Sequence, residues 1–70
     1  MRDFRAIIEK LKIYVSDDIK RKVLDKDISN ILKINQARFA TMKKRNVTPY
    51  EEILRFCEAE KLSCSEIFFD

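Results

Sequence analysis

Residues 28–45, "ISNILKINQARFATMKKR", hold the pattern on which the fold turns. Ile28, Ile31 and Leu32 recur at helical spacing, and Phe39 and Met42 do so again further on. The break between the two helices these sets mark is only about three residues, Lys33 to Asn35, and Asn35 is a favoured N-cap residue. The spacing predicts two short helices, over about 26–33 and 36–45, joined by a link short enough to force a sharp angle between them. Asp25 and Asp27 are the candidates for capping the first helix.

Outward from this pair, other helices are signalled. In "DFRAIIEKLKIYV", Phe4, Ile7, Ile8, Leu11 and Val15 form one apolar face, which predicts a helix over about 3–15. The stretch 16–25 begins with a capping-type Ser16. It has acids at 17 and 18 and bases at 20–22, compatible with either a short helix or an ordered loop. On the other side, "VTPYEEILRFCEAEKL" offers Thr48 as N-cap, Pro49 at the first helical position and Glu51 to complete a capping box. Tyr50, Ile53, Leu54 and Cys57 follow at helical spacing, to about residue 61. A second box, Ser63 with Glu66, opens a short last helix through Ile67, Phe68 and Phe69. The expected core is Phe4, Ile7, Leu11, Ile28, Ile31, Leu32, Phe39, Ile53, Leu54 and Phe68.

The composition agrees. Seventy residues suit one domain, 1–70, with a modest core. With no Gly and one Pro, the chain lacks the turn residues of an all-β fold. The predicted fold class is therefore all-α, a compact bundle of four to five short helices containing a helix-turn-helix. No apolar run approaches the roughly 18 residues of a membrane span, and no signal-peptide pattern opens the chain, so a cytoplasmic protein is expected. Cys57 and Cys64 read as reduced thiols, the first buried and the second at a helix edge. No His and no CxxC pair are present, which argues against zinc and against an imidazole-activated nucleophile. No Gly-rich phosphate loop and no evident carboxylate pair point to an enzyme or a cofactor. Asp17–Asp18 and Glu51–Glu52 read as charges at helix starts.

Charge is distributed unevenly. Residues 1–27 carry 8 basic and 6 acidic groups, 28–50 carry 5 basic and 0 acidic, and 51–70 carry 2 basic and 6 acidic. The middle segment thus concentrates positive field. On a helical wheel, Phe39 and Met42 turn inward. The opposite face holds Ala37, Ala40, Thr41 and Lys44, flanked by Arg38 and Arg45 on one side and Gln36 and Lys43 on the other. Ordinary solvated helices mix in acids for i,i+4 pairs, and this one has none. A low-profile face with polar groups near its start and cations at its flanks is what a helix needs to enter a DNA major groove. On this reading Gln36 contacts an adenine edge. Arg38 reads a guanine or clamps a phosphate, and Ala37 and Thr41 meet a thymine methyl or allow close approach. Lys43, Lys44 and Arg45 contact phosphates, with Lys33, Lys22 and Lys26 as weaker candidates for the same role.

The run "DISNILKINQARFATMKKRNVTPYEEILRFCEAEKLSCSEIFF" resembles the N-terminal DNA-binding domain of phage CI-type repressors, of the lambda-repressor-like helix-turn-helix family. Ser29 takes the family's small position on the first helix, Ile34 the apolar turn position, Asn35 the cap and Phe39 the anchor of the recognition helix. The match covers about 26–69, with 1–15 fitting a first helix loosely and 16–25 resembling an insertion. The resemblance implies sequence-specific binding of double-stranded DNA by a homodimer in transcriptional repression, or a Cro-like or antitoxin-type regulator on the same fold. Two residues depart from the family pattern: Lys33 stands where Gly is usual, and Met42 where many relatives carry Trp. Such repressors continue into a C-terminal dimerisation domain that these residues do not include, which implies a piece of a longer protein or a stand-alone regulator. The competing reading is a helical protein-interaction or dimerisation module using the acidic helices over about 49–70.

Overall fold

In a computed structural model, which describes residues 2–17 and 21–69, five helices follow one another: α1 (Phe4–Val15), α2 (Asp25–Ile31), α3 (Gln36–Arg45), α4 (Tyr50–Ala59) and α5 (Cys64–Phe68). No strand occurs among the described residues. The helices enclose one core. From α1 come Phe4, Ile7, Ile8, Leu11 and Val15; from α2 and its turn, Ile28, Leu32 and Ile34; from the later helices, Phe39, Ile53, Phe56, Cys57, Ile67 and Phe68. Burial of these apolar side chains is the main driving force for folding.

Two helices, α1 and α3, begin where a side-chain acceptor meets their free N–H groups. Asp3 caps α1, its carboxylate accepting from the Ala6 N–H at 2.8 Å. Asn35 caps α3 as expected, accepting from Ala37 N at 2.8 Å and Arg38 N at 3.3 Å. At α2 neither Asp25 nor Asp27 is the cap residue. Leu24 takes that position, and the Asp27 carboxylate one turn in accepts the Leu24 N–H at 2.8 Å.

The two expected capping boxes do not form. Pro49 itself occupies the cap position of α4, so the helix starts one residue later than expected and Thr48 offers only its backbone carbonyl, to Tyr50 N. Glu51 pairs instead with Arg55, one turn ahead. Ser63 does hold the cap position of α5, but its hydroxyl bonds that of Ser65. Ser16 ends α1 rather than starting a helix, its N–H and hydroxyl both donating to the Ile13 carbonyl. Residues 18–20 of the undecided stretch, Asp18 among them, lie outside the described residues, and the described remainder, 16–17 and 21–24, is not helical.

Three helix ends share one geometry. Lys33, Asn46 and Lys61 adopt left-handed backbone, with φ of 58°, 56° and 56°. After each, the next N–H reaches five residues back: Ile34 to Ser29, Val47 to Met42, Leu62 to Cys57. These are Schellman ends, normally built on Gly. A sequence with no Gly builds them on Asn once and on Lys twice, at a cost of about 1 kcal/mol for each Lys. They reverse the chain sharply and send Ile34 and Leu62 back toward the core.

Two ties close the bundle. The Arg2 N–H donates to Phe68 O at 2.7 Å, and its guanidinium to Glu66 O at 2.8 Å, capping the end of α5. The Asn46 side chain accepts from Phe4 N at 3.1 Å, joining the end of α3 to the start of α1. The core differs from expectation at α4. Leu54 is 46% exposed, whereas Phe56 is buried, because Ile53, Phe56 and Cys57 (i, i+3, i+4) form the inward stripe and Leu54 falls outside it. Ile31 is half-buried, and Tyr50 is about half exposed, its ring centroid 5.5 Å from that of Phe68.

Phe39→Ala should destabilise the domain by about 3–5 kcal/mol, and Leu54→Ala by under about 1 kcal/mol, since only the first empties a filled core site. Urea denaturation of the two variants checks the order; equal losses would contradict the assignment of Leu54 to the surface. Lys61→Gly should raise stability by about 1 kcal/mol through relief of the left-handed backbone, visible in the same denaturation curves.

Candidate nucleic-acid interface

The surface of α3 is decided by what it buries. Phe39 is 3% exposed, its ring edge-on to Phe4 with centroids 5.4 Å apart, and Met42 packs half-buried against the core. With that side inward, Gln36, Ala37, Arg38, Ala40, Thr41, Lys44 and Arg45 are all exposed. The outward centre of the helix is Ala37, Ala40 and Thr41, and the Thr41 hydroxyl folds back to donate to Ala37 O at 3.0 Å. Only methyl groups and one satisfied hydroxyl project there, so another molecule can approach the backbone closely.

Of the base-contact candidates, Gln36, Ala37, Arg38 and Thr41 lie together along this exposed side. Arg38 stands 4.0 Å from the Glu52 carboxylate, at the outer limit of an ion pair, and 58% of its side chain is exposed. Lys33 is exposed on the left-handed turn before α3, and Lys44 and Arg45 at the far end. Among the described residues, Lys33, Lys44 and Arg45 form no ion pair. Lys22 and Lys26 are exposed ahead of and on the first turn of α2.

Lys43 is placed differently from its neighbours. It lies one turn beyond Phe39, on the inward flank, and its ammonium is ion-paired with Asp25. The other Asp25 oxygen takes Lys12 at 2.7 Å. Asp25 thus ties α1, α2 and α3 through two lysines. Burial pushes its carboxyl up, but the hydrogen bonds and charges of Lys12 and Lys43 outweigh this and hold it below the ordinary carboxylate value. The same contact raises Lys12, whose largest cause is the hydrogen bond to Asp25. The i,i+4 relation of Lys43 to the buried Phe39 was the signal in the sequence; the acid that meets it comes from another helix.

Asp27 forms the second tie. Arg21 grips it with two hydrogen bonds, at 2.8 and 2.9 Å, while Leu24 N–H donates to it from the cap. Arg21 first, then that backbone donor, holds the Asp27 carboxyl down at about 2. The start of α2 is thereby fixed relative to the segment before it.

Between α1, α2 and α3 lies an open groove of about 520 Å³, floored by Phe39, Ala40 and Ser29. Gln36, Lys26, Lys43 and Lys44 line it, and so does Arg5, which the sequence pattern did not single out. Arg5 Nε and Nη2 donate to the Lys43 and Lys44 carbonyls at 3.3 and 3.4 Å. No spacing within α1 marks it, because its partners are 38 and 39 residues away.

Both cysteines are free thiols, Cys64 partly buried. Cys57 is fully buried, and burial first, then Cys64 beside it, pushes its thiol up to about 11. No group of three or more metal-ligating side chains occurs among the described residues, and no helix there is long and apolar enough to cross a membrane. No family model, curated protein or solved structure matches the chain.

Asp27 contributes stability that is complete above the ordinary carboxyl value of 3.8 and is lost as pH falls toward about 2. Asp27→Asn removes this proton-linked part. Thermal melts between about pH 5 and pH 2 should therefore show a smaller drop for the variant than for the parent; equal drops would mean that the Arg21–Asp27 contact does not persist in solution.

Proposed function

We propose that this chain binds double-stranded DNA sequence-specifically, with α2, its turn and α3 acting as a helix-turn-helix of the lambda-repressor-like kind and α3 lying in the major groove. The observation that carries the reading is the exposed side of α3: methyl groups at its centre, Gln36 and Arg38 near its start, Lys44 and Arg45 at its end, and no acid anywhere along it. Direct readout needs close approach and side chains able to make paired hydrogen bonds with base edges. Gln36 and Arg38 have that chemistry, and Ala37 and Thr41 suit a thymine methyl. Asn35 pins the amino end of α3, so these side chains project from a fixed helix start.

Phosphate contacts fall to Lys33, Lys44 and Arg45, whose charges are not taken by acids among the described residues. Lys43 contributes its charge from inside the groove, already partnered by Asp25. The biological role that follows is transcriptional regulation of the phage-repressor type, by a homodimer reading two half-sites about one helical turn apart.

A second reading, a protein-interaction module, has its own support. Tyr50 and Leu54, one turn apart on α4, are each about half exposed, as is Val47 ahead of the helix, and Phe69 is 52% exposed. Large apolar groups left exposed in this number suit burial against a partner. Together with the acidic balance of 51–70, they suit contact with another protein.

Selection from a random duplex pool at moderate salt tests the function. An enriched motif supports the DNA reading, and a two-fold symmetric one supports the dimer. Absence of enrichment, with retained fold, favours the protein-interaction reading. On an enriched site, Lys44→Ala should weaken binding to all sequences alike and reduce the salt slope by about 1; unchanged affinity across a salt titration would remove Lys44 from the interface.

A further inference from the structure

We infer that the groove between α1, α2 and α3 seats a backbone phosphate of the bound DNA, held by Arg5, Lys26 and Lys44, so that the contact surface extends beyond the helix-turn-helix onto the first turn of α1. This rests on the DNA-binding reading and adds a residue and a location to it. The last carbonyls of a helix carry the negative end of its dipole, which repels an approaching phosphate. Here that end is countered by a cation from another helix, since the Arg5 guanidinium donates to the Lys43 and Lys44 carbonyls and lies along the same groove. The guanidinium uses Nε and Nη2 for these bonds, and Nη1 remains to meet an anion.

Lys44 and Lys26 reach the groove from α3 and α2. Three helices therefore each supply to a single concavity one positive charge that forms no ion pair among the described residues. The one carboxylate within it, Asp25, is already engaged by Lys12 and Lys43 and adds no free negative charge. The floor of Phe39, Ala40 and Ser29 keeps the concavity open without filling it. Arg5 has two roles in this arrangement: a positioning residue for the end of α3, and a direct phosphate ligand.

The test is a salt titration of binding to a selected duplex, for the parent chain and for Arg5→Gln, Arg5→Lys and Lys26→Gln, each with a thermal melt. Each lost phosphate contact lowers the slope of log K against log salt by about 0.9. Arg5→Gln should lose that amount, Arg5→Lys should restore it, and Lys26→Gln should lose it with an unchanged melt, because its side chain has no hydrogen bond or ion pair among the described residues. If Arg5→Gln alone unfolds the chain, Lys26→Gln decides the question. Parent-like slopes in the folded variants overturn the groove assignment and leave DNA binding standing. A parent chain that binds no duplex overturns both.

Discussion

The edge-on contact between Phe39 and Phe4 sets the orientation on which the rest of the surface depends. It buries one side of α3 against the first turn of α1 and leaves that helix a single way to face solvent. A ring pair of this geometry adds a directional preference to the burial of two large side chains. Rotating α3 by one residue would bring Ala40 inward and leave Phe39 in water. The hydrophobic effect therefore keeps Ala37, Ala40 and Thr41 outward and Gln36, Arg38, Lys44 and Arg45 around them. The core contact and the proposed recognition surface are two sides of one helix.

That orientation is held at both ends of α3. At its start, Asn35 takes two free N–H groups. At its end, Asn46 enters left-handed backbone, stops the helix and turns its side chain to the Phe4 N–H. The chain manages its reversals without glycine, and the two lysines at the other left-handed ends carry the strain. Lys33 occupies such a turn beside α3, where a positive charge is useful to a nucleic-acid binder. On the proposed DNA-binding reading a phosphate contact would offset the backbone penalty at Lys33, while Lys61 lies away from α3.

Electrostatics divide into charges paired within the fold and charges left at the surface. Asp25 gathers Lys12 and Lys43, and Asp27 gathers Arg21. The Asp25 pairs align α1, α2 and α3 and the Asp27 pair fixes the segment before α2 to its start, and their worth is modest because both sites remain partly solvated. Lys33, Lys44 and Arg45 are outside such pairs among the described residues. The positive balance of 28–50 thus survives folding as a surface field concentrated around α3, with Arg5 and Lys26 extending it across the groove.

Much of the helical layout was legible in the sequence because its signals are local. The apolar spacing of α1, the Asn35 cap, the inward turn of Phe39 and the small outward face of α3 each depend on residues within a few positions of one another. The capping boxes were misleading for the same reason: the residue types were present, but Pro49 shifted one helix start and Ser65 diverted the Ser63 hydroxyl. The rest belonged to tertiary structure. Whether Leu54 or Phe56 completed the core depended on which stripe of α4 met α1 and α5. Whether Lys43 was a free cation depended on Asp25, 18 residues away. That Arg5 stands at the end of α3 followed only from the packing of α1. The sequence by itself determined which segments become helices and which face of each is apolar, since those are properties of short-range periodicity. The pairing of distant charges and the shape of the groove were decided only when the helices packed, because they depend on residues the chain brings together from far apart.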